Sequence, residues 1–204
     1  MFTTYTSTFR KAILAGLFIG LSCTVYLSVE NRIAGSFMFG LGLLTILNWG
    51  LNLFTGKVGY ISKDNFLHIL LILVGNFLGI NGVALLIKQT RVADKVMEAA
   101  SHYAEIKLND SYLSLFILAI FCGMLMFTAV ATYKLFPNVI GTVTVFFCVA
   151  VFIMAGFEHC IADMYYFTMG GCKFSEYILP LIVMIFGNGT GAVVLYHLTR
   201  DVNH

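Results

Sequence analysis

The sequence has few charged residues and very few prolines. Of its 204 residues, 11% are Asp, Glu, Lys or Arg, and Pro137 and Pro180 are its two prolines. Soluble domains carry about 25% charged residues, so this chain lacks the solvated side chains that a globular surface needs. The 59% hydrophobic content instead predicts an integral membrane protein that is surrounded by a lipid bilayer. We expect no nucleic-acid partner.

The sequence also lacks metal and cofactor motifs. Its five cysteines include no Cys-x-x-Cys pair, and its five histidines show no metal-ligand spacing. A nucleophile motif is missing, and so is the Asn-Pro-Ala signature of water and glycerol channels. These absences argue against two alternatives from other functional classes, a membrane-embedded enzyme and a neutral-solute channel. We expect no metal, no cofactor and no enzymatic activity.

Six apolar windows make up most of the chain. None contains Asp, Glu, Lys or Arg, and each is long enough to cross about 30 Å of hydrocarbon as a helix. The windows are Ala12–Val29, Ile33–Gly56, Asn65–Ile87, Ser111–Tyr133, Leu135–Phe157 and Tyr177–Thr199. The pattern predicts an all-α membrane protein in which six transmembrane helices form a single domain, 1–204.

The second and fifth windows have the features of broken helices. The apolar segment Leu135–Met169 would be on the order of 50 Å long as one helix, and Gly156-Phe157-Glu158-His159 interrupts it. The segment Ile33–Ile61 is also too long for one ordinary pass and is interrupted around Trp49-Gly50. Ionisable side chains at membrane depth are costly and usually face a cavity or permeation path. Glu158 and His159 therefore indicate transport.

The third and sixth windows share the pattern Gly-Asn-x-x-Gly, at Gly75–Gly79 and Gly187–Gly191. Small residues at this spacing are typical of closely packed membrane helices. An amide in hydrocarbon is costly unless it is hydrogen-bonded, so we expect Asn76 and Asn188 to support the freed backbone of the broken helices.

This repetition divides the chain into two halves, approximately 10–90 and 108–200. Each half has three spans, and an odd number of spans turns the second half upside down relative to the first. An even total places both termini on the same side of the membrane. The expected fold is an inverted 3+3 repeat with broken helices 2 and 5.

Together, these landmarks resemble the formate/nitrite transporter family. The resemblance rests on Leu53-Phe54-Thr55-Gly56, on Gly156-Phe157-Glu158-His159 and on the two Gly-Asn-x-x-Gly patterns, in matching order over almost the whole chain. It implies a homopentamer of aquaporin-like six-helix subunits in the plasma (inner) membrane, each with its own pore and with cytoplasmic termini. Family members conduct small monovalent weak-acid anions such as formate, nitrite, hydrosulfide, acetate and lactate.

The resemblance also implies roles for individual residues. His159 looks like the family's central histidine, Thr55 like the threonine of the loop opposite, and Lys107 like its vestibule lysine. Glu158 is expected to brace backbone amides of a half-helix. The apolar constrictions are expected at Phe39, Leu43, Leu53 and Phe152.

Three positions depart from the family pattern. Asn52 stands where an acid is frequent, Asp163 where an asparagine is frequent, and Gly123 where formate channels have an asparagine. Cys122-Gly123 is similar to hydrosulfide-type members, which makes a hydrosulfide channel the alternative within the family.

Apolar constrictions imply a neutral cargo. A charge crosses apolar rings at a far higher cost than a neutral polar molecule, so the anion is expected to pass as its acid. Lys107 would attract anions, and the falling dielectric would raise their proton affinity as they advance. His159, with an unperturbed pKa of about 6.5, either supplies the proton or stays neutral and orients the cargo. The residues alone leave both mechanisms open.

Overall fold

The computed structural model describes residues 2–200, with side chains from residue 5 onward, and most of these residues are helical. Its α-helices are α1 Phe2–Ser28, α2 Arg32–Asn48, α3 Phe54–Lys57, α4 Phe66–Ile87, α5 Ala93–Leu108, α6 Tyr112–Leu135, α7 Val139–Ala155, α8 Cys160–Met169 and α9 Phe174–Thr199. Between residues 2 and 200 there is no β-strand, which confirms the all-α prediction. Residues 1 and 201–204 of the predicted domain lie outside the described residues.

Four helices are long and apolar enough to cross a membrane: α1, α4, α6 and α9. Helices α7 and α8 make a fifth span if they are taken as one span bent by 53°. The predicted window Ile33–Gly56 is divided between α2, with 17 residues, and α3, with four. By helix length, the described part of the chain therefore supplies four or five spans, where the sequence windows number six.

Glycine ends both broken helices in the same way. Gly50 follows α2 with a φ of 59°, and Gly156 follows α7 with a φ of 73°. Glycine adopts this left-handed conformation at little cost. The next amides, of Leu51 and Phe157, each donate at 2.9 Å to the carbonyl five residues earlier, as in the Schellman motif that commonly closes a helix. The chain then runs extended before α3 or α8 begins.

Close packing of α1 on α4 recurs between α6 and α9. A Cβ atom on Gly16 would lie 2.2 Å from the carbonyl oxygen of Asn76, and one on Gly123 would lie 2.2 Å from that of Asn188. Side-chain carbons do not approach backbone that closely, so both positions require glycine. These contacts hold each Gly-Asn-x-x-Gly segment against its neighbouring helix.

Helices α2 and α7 pack antiparallel. At the start of α2, Arg32 donates to the carbonyl of Ile153 at 3.2 Å, and further along, a Cβ on Gly40 would lie 2.6 Å from the ring of Phe146. Residues later in α2 thus contact residues earlier in α7. The C-terminal ends of the two helices, where the breaks occur, therefore lie at opposite ends of the pair.

Helix α5 is an element that the apolar windows did not indicate. It packs on α8 and buries residues three or four apart, the spacing of one helix face. These residues are Ala93, Val96, Ala100, Ala104 and Lys107. The last of them brings a lysine into the interior beside the second break.

Candidate functional site

The amide of Asn76 supports the first break. Its Oδ1 accepts from the N–H of Phe54 at 2.8 Å, and its Nδ2 donates to the carbonyls of Asn52 at 2.9 Å and Ala12 at 2.7 Å. The side chain is fully buried. One amide thus binds the extended segment, the start of α3 and the neighbouring α1.

Asn188 makes the same set of bonds at the second break. Its Oδ1 accepts from the N–H of Cys160 at 2.9 Å, and its Nδ2 donates to the carbonyls of Glu158 and Ala119, each at 2.8 Å. It is likewise fully buried. A buried amide without hydrogen-bond partners is costly. Each asparagine side chain therefore gains partners for its own polar atoms and also fixes the backbone that carries the candidate site.

Thr55 and His159 meet where the two breaks come together. The Thr55 Oγ1 lies 3.0 Å from the His159 Nε2, and both side chains are buried. The His159 Nδ1 accepts from the backbone N–H of Ala162 at 3.2 Å, which makes His159 the N-cap of α8. Since Nδ1 is an acceptor, these hydrogen bonds assign the proton of the neutral ring to Nε2, which donates to the threonine oxygen.

Apolar side chains enclose this pair. The Phe152 ring stacks on the His159 imidazole with centroids 5.5 Å apart, and Phe39 meets Phe152 edge-on at 5.9 Å. Leu43 and Leu53 are buried as deeply as the two phenylalanines, all four being 1–3% exposed. The structure thus joins Phe39 and Phe152 to the His159–Thr55 pair through direct contacts. Leu43 and Leu53 line one cavity together with Gly56, the neighbour of Thr55.

Two cavities reach this region from opposite ends of the α2/α7 pair. Cavity A, of about 180 Å³, lies at the C-terminal end of α2, and its lining includes Leu43, Leu53, Gly56, Lys57, Tyr133 and Lys134. Cavity B, of about 50 Å³, lies at the C-terminal end of α7, and its lining includes Arg32, Lys107, Phe152, His159, Asp163 and Tyr166. The apolar enclosure separates them.

Cavity A is positive. Lys57 and Lys134 line it, and no carboxylate is among the described residues of its lining. The Lys134 ammonium also lies 4.4 Å from the centre of the Tyr60 ring, a cation–π contact that holds it near the cavity mouth. An anion approaching this end meets two ammonium groups.

Lys107 is paired rather than free at cavity B. Its ammonium forms an ion pair with Glu158 and lies 3.1 Å from the Asp163 Oδ1. Loss of hydration alone would lower the pKa of Lys107, but the carboxylates of Asp163 and Glu158 raise it above the ordinary lysine value. Lys107 was expected to attract anions in a vestibule. It lines cavity B, and the carboxyl groups of Glu158 and Asp163 compensate its charge there.

Glu158 also differs from its expected contact. Its side chain bonds Lys107, whereas its backbone carbonyl accepts from Asn188. The bracing at this position therefore comes from the asparagine, and the carboxylate belongs to an ion-pair cluster.

Arg32, Tyr26 and Tyr103 line cavity B, although the sequence did not single them out. The hydroxyls of Tyr26 and Tyr103 lie 2.7 Å apart, and Arg32 donates to the carbonyls of Ile153 and Met154 at 3.2 and 3.5 Å. The 3.6-residue periodicity of α5 was the signal available for Tyr103. Arg32 follows an N-cap asparagine, and nothing local distinguishes it from a loop arginine.

Solved structures share this fold. One, described as a pentameric formate channel with formate bound, superposes with a TM-score of 0.84 at 22% identity and covers 98% of both chains. Another, described as an FNT family ion channel, has a TM-score of 0.85 at 21% identity and covers 98% of this chain and 90% of its own. Likeness at this level of identity establishes the architecture.

Sequence comparison extends the likeness to named relatives. Formate channel FocB of Escherichia coli (strain K12) is 29% identical over 182 residues, which cover 78% of this chain and 64% of FocB. The formate-nitrite transporter of Plasmodium knowlesi (strain H) is 29% identical over 228 residues, covering 94% of this chain and 68% of that protein. The chain thus spans slightly less than two thirds of FocB.

Assignment to a family rests on a match over nearly the whole chain. The family model described as formate/nitrite transporter matches residues 2–200. With its apolar spanning helices, the chain is an integral membrane protein. It belongs to the formate/nitrite transporter family.

Proposed function

We propose that this chain is a channel for small monovalent weak-acid anions of the formate and nitrite type, and that the cargo crosses the centre as its neutral acid. The observation that carries the proposal is the contact between Thr55 and His159, inside an apolar enclosure that lies between two cavities. The names of the relatives, a formate channel and a formate-nitrite transporter, support this class of cargo.

Charge at the two cavities recruits the anion. Lys57 and Lys134 supply positive potential at cavity A, and Arg32 supplies it at cavity B, where the charge of Lys107 is compensated. Positively charged side chains at a cavity raise the local concentration of anions. Recruitment thus depends on different residues at the two ends.

The centre selects against a charge. Phe39, Phe152, Leu43 and Leu53 offer no hydrogen bonds to an ion, and an unpaired charge in such surroundings costs far more than a neutral acid. The Thr55 hydroxyl and the His159 Nε2–H can hold a small acid by its carbonyl and hydroxyl oxygens. These two groups replace water at the narrowest point without forming a deep trap.

His159 orients the cargo in this mechanism. A second proton on its ring would have to sit on Nδ1, and that nitrogen accepts from Ala162. Charging the ring would therefore break the N-cap of α8 and place a cation at the positive end of a helix. The proton that neutralises the cargo comes from another source.

For the whole protein we propose six spans as an inverted 3+3 repeat, with α2–α3 and α7–α8 as the broken second and fifth spans of one channel domain. The matched bonds of Asn76 and Asn188 support two equivalent halves. We further propose a homopentamer in the plasma (inner) membrane with both termini cytoplasmic. The pentameric formate channel of the same fold supports the assembly.

The test is flux through purified protein in liposomes that contain a pH-sensitive dye. Gradients of formate or nitrite should drive cargo uptake together with protons, while chloride and glycerol should not pass. Hydrosulfide is run in parallel, and a preference for it would assign the alternative cargo within the family. Glycerol flux without anion-linked proton movement would contradict the proposal.

A matched pair of variants tests the central site. Thr55→Val should reduce formate flux because it removes a hydroxyl at the contact with His159 while keeping the side-chain shape. Thr45→Val is the control, since the Thr45 hydroxyl bonds the carbonyl of Leu41 within α2. Equal flux in both variants would place the pathway away from Thr55.

A further inference from the structure

The cluster of Lys107, Glu158 and Asp163 contains one cation and two carboxyl groups. The three side chains are 9%, 5% and 2% exposed. If both carboxyl groups were ionised, the cluster would carry a net negative charge in the interior. An uncompensated buried charge is strongly unfavourable, and this one would also repel any anion entering cavity B.

Asp163 has an oxygen atom without a partner. Its Oδ1 faces the Lys107 ammonium at 3.1 Å, whereas its Oδ2 is the one buried side-chain nitrogen or oxygen, within the part of the chain described, that makes no hydrogen bond. Asp163 lines cavity B together with His159 and Phe152. A protonated Asp163 would carry a hydrogen-bond donor on a side chain that lines this cavity, where an anion or a water could accept from it.

Lys107 is the one cation that the described residues place within ion-pair distance of Asp163. Arg32 lines the same cavity but donates to the carbonyls of Ile153 and Met154. Thiols and phenols have ordinary pKa values of about 8.5 or higher, so they are uncharged at neutral pH. The titratable groups that act on Asp163 from the helices packed around it are Lys107 of α5, Glu158 of the break, Cys23 of α1, Cys122 of α6, and Cys160 and Tyr166 of α8. One lysine can balance one carboxylate, and two carboxyl groups at one site share a proton as a unit.

We propose that this cluster holds one exchangeable proton, on Asp163 or shared with Glu158, and that it is the acid that neutralises the anion in cavity B. The inference rests on the proposed function. In the transfer, the O–H bond of the carboxyl group breaks and its proton forms a bond to an oxygen of the anion. The electron pair stays on the carboxylate, which the Lys107 ammonium then stabilises. Hydronium from the solution at cavity B then gives its proton to the carboxylate and leaves as water, which restores the acid before the next anion.

Infrared spectroscopy tests the bound proton without any transport. The protein in lipid should show the carbonyl stretching band of a protonated carboxylic acid at pH 7, shifted in heavy water. Both Asp163→Asn and Glu158→Gln should lose this band, because each leaves Lys107 with one carboxylate. Glu105→Gln, an exposed acid on α5, should keep it. Absence of the band from the unsubstituted protein, its persistence in either cluster variant, or its loss in the control would overturn the inference.

Measurements of formate flux test the proton transfer from the cluster to the anion. At pH 7, Asp163→Asn should slow formate-driven proton uptake on the order of a hundredfold, the usual contribution of a positioned general acid. Its flux should also vary less with pH than that of Glu105→Gln. Glu158→Gln should behave like Asp163→Asn, and gel filtration in detergent checks that each variant assembles.

Failure of the proposed anion channel and failure of the proposed proton donor give different experimental results. If the unsubstituted protein carries no weak-acid anion, the proposed function fails, whereas the infrared result still decides whether the cluster binds a proton. If the unsubstituted protein carries formate and Asp163→Asn keeps both its rate and its pH profile, the transfer step is overturned.

Discussion

His159 uses its two ring nitrogens for different purposes. Nδ1 caps α8 by accepting from the Ala162 N–H, and Nε2 contacts the Thr55 hydroxyl. The first contact is structural, because N-cap acceptors stabilise the first turn of a helix. The second contact faces the proposed route. A substitution that keeps one and removes the other separates the two roles.

His159→Asn should preserve folding and reduce transport. Asparagine is among the preferred N-cap residues, so the free energy of unfolding should stay close to that of the unsubstituted protein. His159→Phe removes the cap acceptor and should cost about 1 kcal/mol. Formate flux should fall in both variants, measured alongside thermal unfolding in detergent.

The pH profile distinguishes an orienting histidine from a proton-donating one. If the Lys107 cluster supplies the proton, the residual flux through His159→Asn should depend on pH as before. A flattened profile in His159→Asn, with an unchanged profile in Asp163→Asn, would assign the proton to the imidazole instead.

Lys107→Met should strongly destabilise the protein. It leaves Glu158 and Asp163 buried without their cation, and breaking a buried pair from one side costs about 3–5 kcal/mol. Lys95→Met is the matched control on the same helix, since Lys95 pairs with the exposed Glu30 at 3.7 Å and such surface pairs contribute about 1 kcal/mol or less. Chemical unfolding in detergent measures both.

Removal of the whole cluster should restore stability. In Lys107→Met combined with Glu158→Gln and Asp163→Asn, no buried charge remains unpaired, so most of the lost free energy of unfolding should return. A triple variant as unstable as Lys107→Met would show that the lysine stabilises the fold through its packing.

The residue types at the centre could be predicted from the sequence, but their partners could not. His159 stood out because an ionisable side chain at a break in an apolar window is costly unless it has a role. Thr55 was implied by the family resemblance. The pairing of Lys107 with Glu158 joins residues 51 positions apart. It depends on how α5 docks against the second break, which no local pattern encodes.

Among the elements, the breaks were predictable and α5 was not. Each break follows a glycine inside an apolar segment longer than one membrane pass, and helix length alone signals that such a segment must bend. Helix α5 contains acidic and basic residues, so a search for charge-free windows passes over it. Its buried face consists mostly of alanines, which add little hydrophobic signal.

Contact between α1 and α4 depends on glycine at one position and not at another. A Cβ on Gly79 would lie 2.0 Å from the carbonyl oxygen of Ile13, whereas a Cβ on Gly82 would meet nothing within 4 Å. Gly79→Ala should therefore force the helices apart and cost about 1–3 kcal/mol. Gly82→Ala should be neutral or stabilise by up to about 1 kcal/mol through helix propensity.

Thermal unfolding of the two alanine variants measures this difference. Since they share one helix and one chemical change, differences in expression or detergent binding affect both. If Gly79→Ala is as stable as Gly82→Ala, the close approach of α1 and α4 is not required for folding.

At the scale of the whole molecule, both cavities and the centre are built from one chain. Helices α2 and α7 supply the enclosure, and the lining residues of both cavities lie within 26–166 of the same sequence. The outer surface, in contrast, is apolar, with exposed side chains such as Leu41, Leu113 and Phe186, as expected for contact with lipid or neighbouring subunits. The proposed route therefore needs no residue from a second copy.

Leu43→Trp should close the proposed route in every subunit that carries the substitution. Leu43 belongs to the apolar enclosure and also lines cavity A, of about 180 Å³, so an indole at this position would extend into the route. Leu41→Trp, on the outer face of the same helix and 61% exposed in the native chain, should conduct normally. Formate uptake into liposomes compares the two, and gel filtration verifies equal assembly.

Mixed assemblies then test whether each subunit conducts alone. With half of the subunits carrying Leu43→Trp, independent routes predict about half of the full formate flux. A single route shared by five symmetric subunits would need all five to be open, leaving about 3% in a random mixture. Subunits are mixed by co-expression, and their ratio is measured by mass spectrometry of the purified complex. A linear fall of flux with the fraction of blocked subunits would support a pathway inside each chain, whereas a steep fall would move the pathway to the axis between subunits.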